Sequence, residues 1–450
     1  MATESKSTGI SVQELDASNL EARPRITNHD PATIPSEDDI MQQSLIEDAQ
    51  VPDGGEAWIV ISGCAVLTWW CIGTPYCWGI LQAALVKEGV STSSTLAFVG
   101  SLATACVAFL GLLNAQIVRK LGTRKSAFVG VFFLGLGEVL SGFSAMNIGG
   151  LFATAGVVMG FGISLCFMVV SVTPAQYFRA KRGIANGIVY GVGGLGGAVI
   201  SFVMDALLDR VGVQWTFRII GFAIWATGLP AAYLIKQRVP IARSAVVDWR
   251  LFRNIRFCLL FAVGAIATFP LLVPPFFLPL FTASLGMSSS TGAGIVAAFN
   301  FASALGRLLC GVCSDFFGPL NTLFMSLLLS ALSMMIIWPI STSIGPLIVF
   351  VIVNGMANGG FFSTMPTVVG NTFGSARVSV VMGMVVTGWA GGYLLGAPIA
   401  GYILDAAGGE SKGMTAYRAA IFYAGGMAIL ATLIGLAIRL KTDKHLLKKL

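Results

Sequence analysis

Residues 57–82 read AWIVISGCAVLTWWCIGTPYCWGILQ, 26 positions without an Asp, Glu, Lys, Arg or His. A helix of that length rises about 39 Å, enough to cross the ~30 Å hydrocarbon core of a bilayer. Water is the poorer solvent for such a stretch, so it reads as a membrane span. Working outward, comparable apolar runs occupy 94–118, 126–145, 149–174, 183–208, 217–236, 256–283, 292–314, 321–342, 346–370, 378–404 and 417–440. The expected fold is therefore an all-α membrane protein with twelve transmembrane helices. Composition agrees: the 450-residue chain is 55% hydrophobic and only 11% charged, with a mean hydropathy of +0.81, where a soluble domain carries about a quarter charged residues. Prolines within the spans (Pro75, Pro270, Pro274, Pro275, Pro279, Pro398) are tolerable where neighbouring helices satisfy the backbone groups they free.

Charge is unevenly spread. Residues 1–51 carry ten acids against three bases, a net −7, which leaves +14 for the rest of a chain whose total is +7. With no apolar period, this segment is expected to be a disordered acidic tail. The remaining cations flank apolar helices, which points to a membrane surface and away from nucleic acid. Lys and Arg collect in cytosolic loops. The even connections and the C-terminal segment hold nineteen of them, among them Arg119, Arg179, Arg253, Arg377 and Lys441, against five in the odd connections. Both termini are thus expected in the cytosol. The domains expected are the tail 1–51, a six-helix bundle 52–236, a basic cytosolic linker 237–255, a second bundle 256–440 and a basic cytosolic C-tail 441–450.

The two bundles look like repeats. Arg119–Gly122 and Asp315–Gly318 both close a second helix at an offset of 196, and Gly191, Gly196 and Asp205 recur as Gly391, Gly396 and Asp405 at an offset of 200. A solute site at the midplane between two such repeats is how a rocking carrier is built. The GxGxxG match at Gly191–Gly196 is not a dinucleotide site, since no strand precedes it and it lies within an apolar span. Its glycines, with Gly388, Gly392 and Gly396, have the small-xxx-small spacing that lets helices approach closely. All eight cysteines lie in spans and the two histidines, His29 and His445, lie outside them. No metal site, cofactor or Ser/His/Asp set is expected, and the chain does not read as an enzyme.

Charged and polar side chains at membrane depth single out the candidate site, because each charge there costs about 2.5–3.5 kcal/mol even on the lenient scale. Arg307 lies eight residues before Asp315, about 12 Å into the bilayer by helical rise. It either snorkels to the interface or grips an anionic group in a wet cavity. Glu138 is the candidate proton-coupling group, with a paired or neutral structural carboxyl as the alternative. Asn300, Asn354 and Asn358 form a polar stripe, for substrate contact or, equally, for interhelical hydrogen bonding; Trp69, Trp70, Tyr76, Trp78, Trp389 and Tyr393 offer faces for a flat or apolar solute, with lipid-facing or interfacial anchoring as the alternative for several. The substrate-contact candidates are Tyr76, Asn300, Arg307, Asn354, Asn358, Trp389 and Tyr393. The loop residues Asp315, Gly318, Arg119 and Gly122 are candidate gating positions.

Four motifs, in order, carry a resemblance. Pro52-Asp53-Gly54-Gly55-Glu56-Ala57-Trp58, Tyr177–Arg182 followed by Ala185-Asn186-Gly187, Gly306-Arg307 running to Asp315–Pro319, and Gly396–Gly401 resemble the monocarboxylate-porter branch of the major facilitator superfamily, in particular its fungal members. The resemblance covers roughly 52–440 and implies the major facilitator fold and alternating access. It also implies limits. Animal lactate carriers place a Lys after the first-helix proline, where this chain has Tyr76, and an Asp one turn before the eighth-helix Arg, where it has Ser303. Arg119 stands where the superfamily loop carries an Asp. Lactate–proton symport therefore does not follow. The function expected is secondary-active transport of an organic acid or secondary metabolite, as an exporter, by a monomer in the plasma membrane or an organelle membrane such as the vacuole. Protons are the candidate coupling ion, and a non-transporting solute sensor is the alternative.

Overall fold

The computed structural model describes residues 54–178, 182–238, 249–373, 378–409 and 412–442. The acidic segment 1–51, Pro52, Asp53, loop residues 179–181, linker residues 239–248, residues 374–377, 410–411 and the C-terminal 443–450 lie outside the described residues, and with them the expectations made for those segments.

Among the described residues every regular element is a helix. Ten helices are each long and apolar enough to cross a membrane. One of them, Gly183–Leu234, has 52 residues, about 78 Å at helical rise and more than twice the hydrocarbon thickness. It is two crossings, because Gly212, at φ 74° and ψ 175°, interrupts the helical backbone in a region that glycine enters without a Cβ penalty. A further crossing consists of Ser93–Phe109 and Gly111–Leu121, bent by 57°. Dividing the first and joining the second gives twelve crossings. In chain order they are α1 (Ala57–Lys87), α2 (Ser93–Phe109 with Gly111–Leu121), α3 (Thr123–Ser144), α4 (Ile148–Pro174), α5 (182–211), α6 (213–234), α7 (Ile255–Ser284), α8 (Ser289–Phe317), α9 (Pro319–Ile340), α10 (Ile344–Phe373), α11 (Val380–Ala406) and α12 (Met414–Thr442).

Several helices run past the apolar stretches that announce them. Helix α1 ends at Lys87 rather than 82, and α12 spans Met414–Thr442 rather than 417–440. Hydrogen bonding continues into the interface after the hydropathy has fallen. The bend in α2 has no proline to announce it; it falls at Leu110, beside Gly111.

Local chemistry repeats between the halves. Thr92 caps α2 by accepting the Thr95 N–H at 3.3 Å, and Ser288 caps α8 by accepting the Thr291 N–H at 3.2 Å. Gly122 and Gly318, with φ of 83° and 92°, turn the chain into α3 and α9. Helices α1 and α7 break at Ile72 and Leu272, each three residues before a proline, Pro75 or Pro275. Proline has no N–H, so each break leaves the carbonyl four residues earlier without its helical donor.

The seam between the halves is closed by small residues. Down the α5–α8 contact, a Cβ on Gly197 would lie 2.9 Å from Asn300, one on Gly194 2.8 Å from the Ala304 nitrogen, and one on Gly183 3.2 Å from the Asp315 carboxylate. The α2–α11 contact is tight at one end, where a Cβ on Gly401 would lie 3.0 Å from the Ser94 Cα. It relaxes at the other, where Gly111 and Gly383 would meet only the tips of Val386 and Leu112 at 4.0 and 3.9 Å. At the tight end Gly79 of α1 also rests on the Pro275–Phe276 backbone of α7. The helices thus bring their polar residues together at mid-depth, beneath a closed end.

Gly194→Val should lower the thermal unfolding temperature of the detergent-solubilised protein, because the backbone of α8 leaves no room for a branched side chain and overpacking costs about 1–3 kcal/mol. Gly426→Val, in α12 with nothing within 4 Å of its Cβ position, is the control. Equal melting of the two variants would mean that close α5–α8 approach is not required.

Candidate functional site

Asn300, Ser303 and Arg307 occupy positions i, i+3 and i+7 of α8 and so share a face. All three are buried, and Arg307 is only 1% exposed. It therefore does not snorkel to the interface. Its Nη1 donates to the Tyr190 carbonyl of α5 at 2.6 Å, and its guanidinium carbon lies 5.7 Å from the ring centre of Tyr76 and 5.4 Å from that of Phe362. Both contacts are in the range of cation–π attraction. Among the described residues no carboxylate pairs with it, and its Nε has no partner.

The surroundings of Arg307 are mostly donors and rings. Asn300 Nδ2, Ser303 Oγ and Trp389 Nε1 are buried without a partner among the described residues. Each such group costs free energy until something bonds to it. Tyr76 packs against Phe362 at 6.4 Å, Phe362 against Trp389 at 6.2 Å, and Trp389 against Phe361 at 5.6 Å and Tyr393 at 5.9 Å. This chain of rings runs from α1 through α10 to α11 and edges the guanidinium. Tyr76 also donates its hydroxyl to Asn358 Oδ1 at 2.9 Å, and Asn358 Nδ2 donates to the Leu271 carbonyl of α7 at 3.0 Å.

Of the seven substrate-contact candidates, six are brought into this region. Asn354 is not. Its Nδ2 donates to Ser333 Oγ of α9 at 2.8 Å, so the three asparagines do not form one stripe. At the level of Asn354 the facing groups are the hydroxyl and carbonyl acceptors of α9, one turn away from those that Asn358 meets. The first-helix tryptophans are likewise occupied elsewhere: Trp70 Nε1 donates to Thr227 Oγ1 at 2.7 Å, Trp78 Nε1 to the Leu96 carbonyl at 2.9 Å, and Trp69 lies against Gly196. Glu138 is 1% exposed, with Oε2 unpartnered, in α3. It stands between Gly137, whose Cβ position abuts Met159 of α4, and Val139, which meets Gly221 of α6. It is packed inside the first half.

Phe361, Phe362 and the carbonyls of Tyr190 and Leu271 were not expected. Phe362 sits one turn beyond Asn358, a spacing that does place it on the same face; the carbonyls leave no trace in side-chain chemistry. Among the loop positions, the Asp315 carboxylate rests against Gly183 in the first turn of α5, where the helix dipole favours an anion. In the other half, the turn at Gly122 is met by Gln237, whose Oε1 accepts the Thr123 N–H at 3.4 Å.

Comparison with known proteins follows the same lines. A family model described as Major Facilitator Superfamily matches residues 59–295 and 257–449. The chain is 26% identical over 389 residues to the Aspyridones efflux protein apdF of Emericella nidulans, covering 85% of this chain and 78% of that one. It is 25% identical over 381 residues to Monocarboxylate transporter 4 of Gallus gallus, covering 79% and 78%. The crystal structure of the nucleoside transporter NupG superposes with a TM-score of 0.66 at 14% identity, over 85% of this chain and all of that one.

Asn354→Ala should destabilise the protein by about 1–2 kcal/mol, since it leaves the α9 acceptors without their buried donor. Thermal unfolding in detergent reads this out, and a wild-type melting temperature would mean that the Ser333 contact contributes nothing.

Proposed function

Since the chain belongs to the Major Facilitator Superfamily and is a multi-pass membrane transporter, we propose that it exports an organic acid or acidic secondary metabolite with a flat conjugated body, by alternating access. The observation that carries this reading is Arg307, a buried guanidinium bonded to one backbone carbonyl and faced by two rings. Hydrocarbon penalises such a charge, and a solute carboxylate or enolate docked on its planar fork removes that penalty through charge-assisted bonds. The unpartnered donors Asn300 Nδ2 and Trp389 Nε1 suit further oxygens of the solute, and the rings of Tyr76, Phe362, Trp389 and Tyr393 suit its planar body. That two relatives are named as efflux proteins, for aspyridones and for agnestins, supports the outward direction.

The arrangement proposed is two six-helix halves, 52–236 and 256–440, joined by a cytosolic linker 237–255, with tails 1–51 and 441–450 in the cytosol of a monomer in the plasma membrane. The Lys and Arg distribution supports this orientation. It makes the tight end of the bundle, at Gly79, Ser94 and Gly401, the outer end. An anion leaving a cytosol held negative gains about 2.3 kcal/mol per charge per 100 mV, so export of this kind runs without a proton. Glu138 then acts as a neutral buried carboxyl of the first half.

Flux of a panel of aromatic carboxylates and enolic acids, into vesicles with and without the protein, tests the reading. Arg307→Ala should reduce saturable flux of an anionic solute at least about a hundredfold, as loss of a buried charge-assisted bond implies; unchanged flux sinks the assignment. Glu138→Gln should retain flux and its pH profile, and a flattened profile would return the proton to the mechanism.

A further inference from the structure

The side-chain hydrogen bond that Tyr76 makes across the seam has a particular address. In α7 the carbonyl of Leu271 would bond the N–H of residue 275, which is a proline and has none to give. Asn358 Nδ2 supplies the donor at 3.0 Å, and the other end of the same amide accepts the Tyr76 hydroxyl at 2.9 Å. Tyr76 follows Pro75, the proline at the matching break of α1. One amide therefore ties together the proline breaks of two equivalent helices in opposite halves. Beyond the breaks lie the outer pieces Trp78–Lys87 and Val273–Ser284, which touch where Gly79 rests on the Pro275–Phe276 backbone.

Tyr76 has a second possible acceptor. Its ring centre is 5.7 Å from the Arg307 guanidinium carbon, so an oxyanion seated on Arg307 lies within reach of the same hydroxyl. A phenol has one hydrogen to donate, and a charged acceptor forms the stronger bond than a neutral amide oxygen.

We propose that the Tyr76–Asn358 hydrogen bond is the latch that holds the outer ends of α1 and α7 shut in the unloaded carrier, and that an anion on Arg307 opens it by taking the Tyr76 hydroxyl. Asn358 keeps its bond to Leu271 and so holds α7 in shape while the first half is released. Binding is in this way converted into loss of a contact between halves, which is what a carrier needs if only the loaded form is to open outward. The opening step rests on the anion site proposed above; the latch itself does not.

Hydrogen-exchange mass spectrometry on the full chain in nanodiscs tests the two parts separately. Without solute, Tyr76→Phe should speed exchange in peptides covering 78–87 and 273–284 by about fivefold, the weight of one ordinary hydrogen bond, and should leave α12 unchanged. The same substitution made on Asn358→Ala should add nothing. No acceleration in Tyr76→Phe, or additive effects of the two substitutions, overturns the latch. With saturating 2-naphthoate, the wild type should show the same acceleration and Tyr76→Phe no further change. An equal response in both overturns the exchange of partners. Failure of 2-naphthoate to quench the tryptophan fluorescence of the wild type defeats the anion site, and the solute-free arm then decides the latch on its own.

Discussion

A carbonyl set free inside hydrocarbon must find a donor within the protein, because no water is there to supply one. This chain frees carbonyls at the breaks of α1 and α7 by placing prolines at equivalent positions. The freed Leu271 carbonyl takes its donor from Asn358, and that choice fixes the rotamer of Asn358. The fixed rotamer presents Oδ1 to Tyr76, and the hydrogen bond in turn holds the Tyr76 ring near Arg307. The geometry around the guanidinium is thus inherited from a backbone requirement in another helix. The small residues of α5, with Ala304 of α8, are the second condition, since without them the halves could not come close enough for a hydrogen bond to span the seam.

The fold was largely legible because its cause is one-dimensional. An uncharged run of about twenty residues crosses a bilayer whatever its neighbours do, and nearly all the crossings lie where such runs occur, α3 with its Glu138 being apolar without being uncharged. What the runs do not announce is geometry created by contact. The 57° bend of α2 at Leu110 has no proline beside it, and Gly111 is one of 54 glycines in the chain. Hydropathy likewise ends the last span at 440, whereas α12 continues through Lys441 to Thr442.

The candidate site was legible in part, and for a related reason. Depth can be counted along a helix, so Arg307 and Asn358 stand out as polar groups that must have partners. Which partner they have depends on the helix standing opposite. Asn354 and Asn358 differ by one turn, yet the first meets Ser333 of α9 and the second meets Tyr76 of the other half. The same holds for Trp70 and Trp78, whose indole nitrogens are taken by Thr227 and by a backbone carbonyl. Phe362 shares the face of Asn358, but nothing in 30 phenylalanines marks it as the one whose ring faces Arg307.

Charge decides what the centre can hold. Carriers that move a proton with an anion need a group that exchanges the proton near the anion site. Arginine cannot do so at physiological pH, and Ser303, one turn from Arg307, has no charge to offer. The centre also differs from its repeat: the position 196 residues before Arg307 is Gly111, so one half supplies the cation and the other supplies the Tyr190 carbonyl and the Tyr76 ring. An anion docked on Arg307, as proposed, would compete with contacts from the opposite half. In that proposal occupancy of the site and cohesion of the seam draw on the same few groups, so the site would fill only by loosening the interface that encloses it.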